Sequence, residues 1–392
     1  MKKITLLLFL SCSTILFSQS KEFTILDAIT IKPIDLAQIL YPNLEIGSVS
    51  NEDGRVKIPL KKEKIIISHI NYETKELKYS NFIKKDTIYL ILNTSELDEI
   101  VVYNIDILKK VTNILDNTYT KEYSTKKAIH KSTYKETFSV NDSLSRLFQV
   151  QLDWWSKNYL YKSDKPLKKQ NIFNLEGVDY SKIKSIDKNF TNANGAYVTN
   201  DTFFSYLHLN YLLNILKDIT YDYEINSMRK TTESNIVYFD AIVKEKGINV
   251  LNFKNCTIVF DKEYKSIQYI KLNMLHNSKF KKSISETTKL PYEQKITNHI
   301  VELSFKKLKN KKLSLSYYSS ELNAIIKRNE FTNKVSSKQQ LFISKTNTNK
   351  KLKRGNIDID NAFYKSIPNN IKTKDVKILL TKKEQTFLDA KN

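Results

Sequence analysis

The sequence is poor in the residues that several kinds of functional site require. Its 392 residues include only 6 Gly, 6 Pro, 2 Cys and 5 His. The glycines stand far apart, so no Gly-rich loop can surround a phosphate with its backbone N–H groups. The chain also lacks a GxSxG motif, which presents the nucleophilic serine of many hydrolases. Phosphate-binding loops and nucleophile elbows of the usual kind are therefore excluded.

The five histidines do not have the spacing of zinc ligands. They are scattered along the chain as His69, His130, His208, His276 and His299. His299 and Glu302 imitate an HxxE zinc motif, but residues three apart on a strand face opposite sides of the sheet. Cys256 shares an apolar strand face with Ile258 and Phe260, which indicates a buried, inert thiol. We expect no metal, no other cofactor and no catalytic residues.

The first twenty residues, MKKITLLLFLSCSTILFSQS, have the layout of a secretory signal peptide. Two lysines precede an apolar run, and small and polar residues follow it. We expect residues 1–18 to be removed, with the exported protein in the periplasm or associated with the outer membrane. Lipid attachment at Cys12 is the alternative. No later segment approaches the roughly 18 apolar residues that a membrane helix needs, so we do not expect an integral membrane protein.

The chain is strongly basic, with 64 Lys+Arg against 42 Asp+Glu and a formal net charge of +22. The lysines form short clusters over the whole length, which is typical of a solvated surface. Export would also separate the protein from nucleic acid. We therefore expect no nucleic-acid partner, and the anionic lipids of the envelope remain the candidate polyanion.

Short alternating segments in the first part of the chain predict a β-sandwich over residues 19–103. Asn51-Glu52-Asp53-Gly54 is a turn signal, because Asn and Asp bond to nearby backbone groups and Gly adopts positive φ. Val56 and Ile58 then alternate with Arg55 and Lys57 as in a half-buried strand. Other short strands are expected on both sides of this turn.

These residues resemble the carboxypeptidase-regulatory-like domain found in exported and outer-membrane proteins of Bacteroidetes type. The resemblance rests on the Asn51–Val56 turn and strand, on Ile66-Ile67-Ser68-His69-Ile70-Asn71-Tyr72, and on Asp98-Glu99-Ile100-Val101-Val102. It covers about a fifth of the chain and implies a noncatalytic, transthyretin-like sandwich. The Asp98–Val102 segment is expected to be its last strand.

The remainder, residues 104–392, predicts an antiparallel sheet or half-barrel with packed helices. Helical spacing of apolar residues occurs over 105–117 and 203–216. Phe148, Val150, Leu152 and Trp154 alternate with polar residues, as expected for a sheet with one buried and one wet face. Residues 160–200 have few order signals and predict a loop or insertion. The fold class is therefore mainly β, with some α+β character.

The order of helices and long strands resembles the half-barrel of periplasmic lipoprotein carriers, whose concave face takes up acyl chains. This resemblance implies an apolar groove for a lipid or peptide, and we expect its lining to include Phe148, Leu152, Trp154, Phe203 and Phe204. The alternative is that these residues are ordinary core beneath a helix.

We expect a noncatalytic cell-envelope protein that binds a hydrophobic or envelope-derived ligand, or an outer-membrane partner. A structural or adhesion module without a small ligand is the first alternative. An unrecognised hydrolase with acidic or histidine side chains that converge in a cleft is the second.

Overall fold

The computed structural model describes residues 20–44, 46–93, 105–157, 162, 164–184, 200–218, 222–231, 234–245, 248–277, 279–284, 289–348, 350–352, 354–359, 361–373 and 378–390. They form two compact units. Unit 1 contains the described residues up to Asn93 and residues 378–381, and unit 2 contains the rest. The expected leader, Cys12 and the Asp98–Val102 strand lie outside the described residues. The mainly β fold class is confirmed.

Unit 1 consists of short strands in two sheets that enclose one apolar core. Its elements are β1 (Ser20–Asp27), β2 (Gln38–Tyr41), β3 (Ile46–Val49), β4 (Arg55–Pro59), β5 (Ile65–His69), β6 (Tyr72–Leu77), α1 (Tyr79–Phe82) and β7 (Thr87–Leu90). One sheet has the order β4–β1–β7 and the other has the order β3–β2–β5–β6. The pair β1 and β7 is parallel, so both strands end at the same edge.

The predicted Asn51–Gly54 turn leads from β3 into β4. The Gly54 N–H donates to the Asn51 carbonyl at 2.7 Å, and the Asn51 side-chain oxygen accepts from Arg55 N at 2.9 Å. Gly54 has a φ of +71°, and a Cβ there would lie 2.5 Å from the Ile25 carbonyl oxygen. Glycine is therefore required both for its backbone angle and for space.

The Asn51 side chain also ties the distant segment 378–381 to unit 1. Its Nδ2 donates to the Leu379 carbonyl at 3.0 Å, and Leu379 and Leu380 are both buried. The expected second domain, 104–392, is therefore not one uninterrupted segment. Sequence periodicity could not indicate this, because a single side-chain hydrogen bond and two leucines leave no repeating pattern.

Asp27 organises the loop that follows β1. Its Oδ1 accepts from the N–H groups of Ile29 at 2.8 Å and Thr30 at 2.6 Å, and its Oδ2 accepts from the Tyr72 hydroxyl at 2.8 Å. Ile31 in this loop has a φ of +58°, a conformation that costs a residue with a Cβ about 1–2 kcal/mol. The hydrogen bonds from the Thr30 backbone and the Tyr72 side chain lower the pKa of Asp27 to about 2.

This lowered pKa predicts that the loop loses stability in acid. Because the pKa of a carboxyl in an unfolded chain is about 3.9, the stabilisation is complete above that pH and is lost as the pH falls towards 2. Hydrogen exchange at the Ile29 and Thr30 amides, corrected for intrinsic rates, should show falling protection over this range. In Asp27→Asn, protection should be lower at neutral pH and should not show this acid-dependent decline. The control is Glu73→Gln, an exposed residue, and an equal effect in the control contradicts the prediction.

Unit 2 is organised around a 12-stranded antiparallel sheet. Its strands are β8 (Ala128–Val140), β9 (Ser143–Ser156), β10 (Asn171–Ile183), β11 (Asp222–Lys230), β12 (Ser234–Glu245), β13 (Ile248–Asp261), β14 (Ile267–His276), β15 (Lys281–Ile284), β16 (Pro291–Lys307), β17 (Leu313–Arg328), β18 (Phe331–Thr348) and β19 (Ile371–Lys372). The order is β11–β12–β13–β14–β16–β17–β18–β8–β9–β10–β19, with β15 paired to β16. The early strand β8 thus pairs with the late strand β18.

Short helices accompany this sheet. They are α2 (Ile107–Asn113), a π-helical turn (Ile114–Thr118), α3 (Tyr119–Glu122), α4 (Leu167–Gln170), α5 (Asn200–Tyr206), α6 (Leu209–Asp218), a 3-10 turn (Phe363–Ser366) and α7 (Lys382–Asp389). Asp106 caps α2, since its side chain accepts from Lys109 N at 2.9 Å. The helix predicted over 203–216 is two helices, α5 and α6. Within the described residues, no helix is long and apolar enough to cross a membrane.

The prediction of a loop over residues 160–200 is wrong for 171–183, which form the thirteen-residue strand β10. Two register shifts, between Leu175 and Gly177 and between Val178 and Tyr180, interrupt its pairing with β9. Such bulges break the two-residue alternation by which a strand is identified. Buried polar residues, including Asp179 and Lys182, obscure the pattern further.

The prediction that the polar face of β9 is wet is also wrong. Gln149 and Gln151 both donate to Asp179 Oδ2 at 2.7 Å, and Gln149 is fully buried. Helix α7 lies over this side of the sheet, where Glu384 pairs with Lys135 at 2.5 Å. The outer face is covered here by a polar network, which an alternating sequence pattern cannot distinguish from a solvated face.

Candidate functional site

One face of the large sheet is apolar and lies beneath the helices of unit 2. Phe203 of α5 contacts the rings of Tyr134 on β8 and Tyr318 on β17, at centroid distances of 5.6 and 5.1 Å. The helical side chains that fill this core are at most 2% exposed: Phe203, Phe204, Leu209, Leu212, Leu213 and Leu216. This helix-covered face is the candidate ligand-binding region of the chain.

The structure brings the five predicted groove residues into this region, but it places them in a filled core. Phe148, Leu152, Trp154, Phe203 and Phe204 are each at most 1% exposed. Because α5 inserts its own phenylalanines against the sheet, these residues line no open groove in the described part of the chain. An open depression beside α2 is lined by Asp106, Leu108, Lys109, Thr112, Asn113, Asn117 and Tyr223.

Several members of this aromatic cluster were missed from the sequence. Phe173 of β10 stacks on Trp154 with ring centroids 6.0 Å apart and contacts Phe204 at 5.0 Å. Phe363, from the 3-10 turn, contacts Tyr134 at 4.9 Å. Phe173 lies in the segment 160–200, for which the sequence predicts a loop. A four-residue turn has no periodicity that could identify Phe363 as core.

A buried ion pair interrupts the apolar face. Arg146 Nε lies 2.8 Å from Glu136 Oε1, and their side chains are 5% and 3% exposed. Tyr134 donates its hydroxyl proton to Glu136 Oε2 at 2.8 Å, and burial together with this carboxylate raises the pKa of Tyr134. The Arg146 guanidinium also lies 4.1 Å from the ring centroid of Tyr364. The 3-10 turn Phe363–Ser366 therefore packs against the charged Arg146 side chain.

A second buried polar contact lies beneath α5. His299 Nε2 is 2.7 Å from the Ser320 hydroxyl, and the imidazole ring is 5.2 Å from the ring of Tyr206. Burial lowers the pKa of His299 to about 3, so the ring is neutral at physiological pH. Glu302 instead pairs with Lys271 at 3.3 Å. No register shift occurs between His299 and Glu302, so the two side chains face opposite sides of the strand.

Like His299, the buried His130 and Cys256 side chains have pKa values far from neutrality. Burial lowers the pKa of His130 to about 3 and raises the pKa of the Cys256 thiol to about 12. A general acid or base works best with a pKa near the operating pH. Within the described residues, no three His, Cys, Asp or Glu side chains are grouped to hold a metal ion. The arrangement is suited to apolar contact with a few fixed polar groups.

No protein-family model matches the chain, and no curated protein matches it. The two family resemblances therefore rest on the quoted residues and on the order of elements.

The Glu136–Arg146 pair predicts a large cost for removing only one charge. Arg146→Met leaves Glu136 buried without its cation and should lower the free energy of unfolding of unit 2 by about 3–5 kcal/mol. The double variant Glu136→Gln/Arg146→Met should be more stable than the single Arg146→Met variant. Both tryptophans lie in unit 2, so urea denaturation followed by their fluorescence reports on this unit.

The control is Arg55→Met, which removes an ion pair with Glu22 that is 3.4 Å long and nearly half exposed. This substitution should lower the free energy of unfolding of unit 1 by less than about 1 kcal/mol. Equal losses for the two arginine variants contradict the assigned importance of burial.

Proposed function

We propose that this chain is a noncatalytic, exported cell-envelope protein whose second unit binds a hydrophobic ligand against the helix-covered face of its sheet. The observation that supports this function best is the composition of the helices that lie over this face, which we call the cover. Two short helices, α5 and α6, insert six large apolar side chains against the sheet. An acyl chain could take the same place if the helices moved aside.

The free energies of closing and of binding are comparable. Full burial of a Leu or Phe side chain contributes about 1.5–3 kcal/mol, so six of them contribute about 9–18 kcal/mol. A chain of about 16 carbons gains about 13 kcal/mol at about 0.8 kcal/mol per methylene. A long acyl chain can therefore offset the displaced side chains, whereas a small apolar molecule cannot. The proposed ligand class is a long-chain amphiphile.

The buried polar groups suit such a ligand. Arg146 and Tyr134 are a cation and a hydroxyl donor within an apolar surface. The Tyr134 hydroxyl donates its one proton to Glu136, but the Arg146 guanidinium has N–H donors beyond the one that faces Glu136. A carboxylate or phosphate head group can accept from these donors. An entirely apolar ligand would offer the guanidinium no such acceptor.

The export part of this proposal has a direct check. Protein recovered from the envelope of its own cells should begin at Gln19, as N-terminal sequencing would show. Full-length protein confined to the cytosol contradicts it.

Ligand binding is best tested with a variant that weakens the cover. We expect cis-parinaric acid, a fluorescent long-chain fatty acid, to bind the mature chain saturably at one site. Phe203→Ala should weaken the closed arrangement by about 3–5 kcal/mol. Because about 1.4 kcal/mol corresponds to a tenfold change, the apparent Kd should fall at least about tenfold.

The matched control is Phe82→Ala, which truncates an equally buried phenylalanine in the core of unit 1. Its apparent Kd should equal that of the wild type. The cavity left by one side chain is too small for an extended fatty acid, so tighter binding by Phe203→Ala reports on the cover. Failure of both wild type and Phe203→Ala to bind contradicts the proposal, as does equal strengthening by Phe82→Ala.

A second candidate function is that of an interaction module without a small ligand. It is favoured by a cluster of exposed apolar side chains on unit 1, including Ile29 and Ile91, which are 77% and 53% exposed. Under this alternative an outer-membrane partner or another envelope component contacts that cluster.

A further inference from the structure

Unit 1 carries a cluster of exposed apolar side chains, which we call the apolar edge. It consists of Ile29, Ile31, Tyr89, Ile91 and Leu92, which are 38–77% exposed. These are five of the eight exposed large apolar residues in the described part of the chain. Such clustering distinguishes the edge from isolated surface residues, which need no explanation.

The parallel pair β1 and β7 brings these residues together. Asp27 pairs with Leu90, and the Ala28 N–H donates to the Leu90 carbonyl at 2.8 Å. The loop after β1 and the residues after β7 therefore leave the sheet side by side. The edge is consequently one surface, although its members are about sixty positions apart in sequence.

The fold holds this surface in place. Ile31 keeps a left-handed φ of +58° although it is β-branched, and its N–H donates to the Asp27 carbonyl at 3.1 Å. The Asp27 carboxylate fixes the preceding two residues of the loop. A strained, hydrogen-bonded loop that exposes two isoleucines points to contact with something outside the chain.

The composition of the edge fits a lipid surface better than a protein. Contact centres between proteins are enriched in Trp, Tyr and Arg, and Leu is under-represented there. Here four of five members are aliphatic, and the fifth is tyrosine, which prefers the membrane interface.

The charges beside the edge fit an anionic surface. Lys32 is exposed next to Ile31, and Lys75 Nζ donates to the Tyr89 carbonyl at 2.8 Å. Two acidic residues also lie beside the edge. Glu73 donates its N–H to the Ile91 carbonyl. The buried Asp27 carboxylate accepts from the Ile29 and Thr30 amides. The whole chain adds a net charge of +22, which attracts it to anionic lipids.

We propose that the apolar edge inserts into the interfacial region of an anionic lipid bilayer and holds the protein reversibly at the membrane surface. This inference does not depend on ligand binding by unit 2. The aliphatic side chains supply apolar contact with the acyl boundary, and the lysines face the lipid head groups.

The test is co-sedimentation of the mature chain, residues 19–392, with phosphatidylcholine vesicles that contain phosphatidylglycerol. We expect the wild type to sediment with the vesicles. The affinity of Ile29→Ser/Ile31→Asn for the vesicles should be lower by a factor of roughly ten or more. Asn tolerates the left-handed backbone at position 31, so the variant should retain the wild-type circular dichroism spectrum. The matched control is Ile284→Ser in unit 2, where the isoleucine is 69% exposed, and it should bind as the wild type does.

Three outcomes overturn the proposal. The first is absence of vesicle binding by the wild type. If the wild type does not bind vesicles and Ile29→Ser/Ile31→Asn abolishes a dimer that the wild type forms, the edge is instead a contact surface for a second copy of the chain. The second is equal binding by the wild type and Ile29→Ser/Ile31→Asn, which would leave only attraction between the net positive charge and the lipids. The third is an equal loss in Ile284→Ser.

Discussion

The need to cover one apolar face of a very large sheet determines the rest of unit 2. Strands of up to 18 residues place successive side chains on opposite faces of the sheet, and one of these faces is largely apolar. Backbone hydrogen bonds join the strands side by side within the plane of the sheet. They cover neither face, so a second layer must bury the apolar side chains. Helices α5 and α6, the 3-10 turn and the helical segment 107–122 supply the missing layer.

The pairing of β18 with β8 makes that layer possible. It joins the first three strands of the unit to the last long strand, so β17, β18, β8 and β9 become adjacent. The connection between β10 and β11 then joins a strand beside the edge strand β19 to the opposite edge of the sheet. Helices α5 and α6 lie in that connection, which is why α5 contacts both Tyr134 on β8 and Tyr318 on β17.

Strand alternation and turn residues in the sequence predicted the elements that short-range contacts determine. The alternation around Phe148–Trp154 and the turn at Asn51–Gly54 correspond to β9 and to the entry into β4. The bulged strand β10 was missed, since each bulge shifts the alternation by one residue. The break between α5 and α6 was missed for a similar reason, because apolar residues continue across it.

The candidate site was only partly predictable. Phe148 and Trp154 share a strand face with Leu152, and the sequence shows this directly. Contacts such as Phe363 with Tyr134, or Glu136 with Arg146, depend on the strand register and on where the C-terminal segment packs. Periodicity also cannot decide whether an aromatic face is open or filled, because a covering helix and a ligand require the same apolar residues from the sheet.

The buried polar groups bear on how easily this cover can move. In the closed arrangement, Arg146 is held by Glu136 and the Tyr364 ring, and His299 is held by Ser320 and the Tyr206 ring. Glu136 and Ser320 lie on the sheet itself, so only the Tyr364 and Tyr206 rings belong to the cover. These two ring contacts favour one position of the turn and the helix over others. Once the cover lifts, the same groups regain water, and their hydration offsets part of the lost apolar burial. An entirely apolar interface would gain no such hydration when it opens. A face with a few buried polar groups is therefore specific when closed and less costly to open, which is the combination that reversible ligand binding requires.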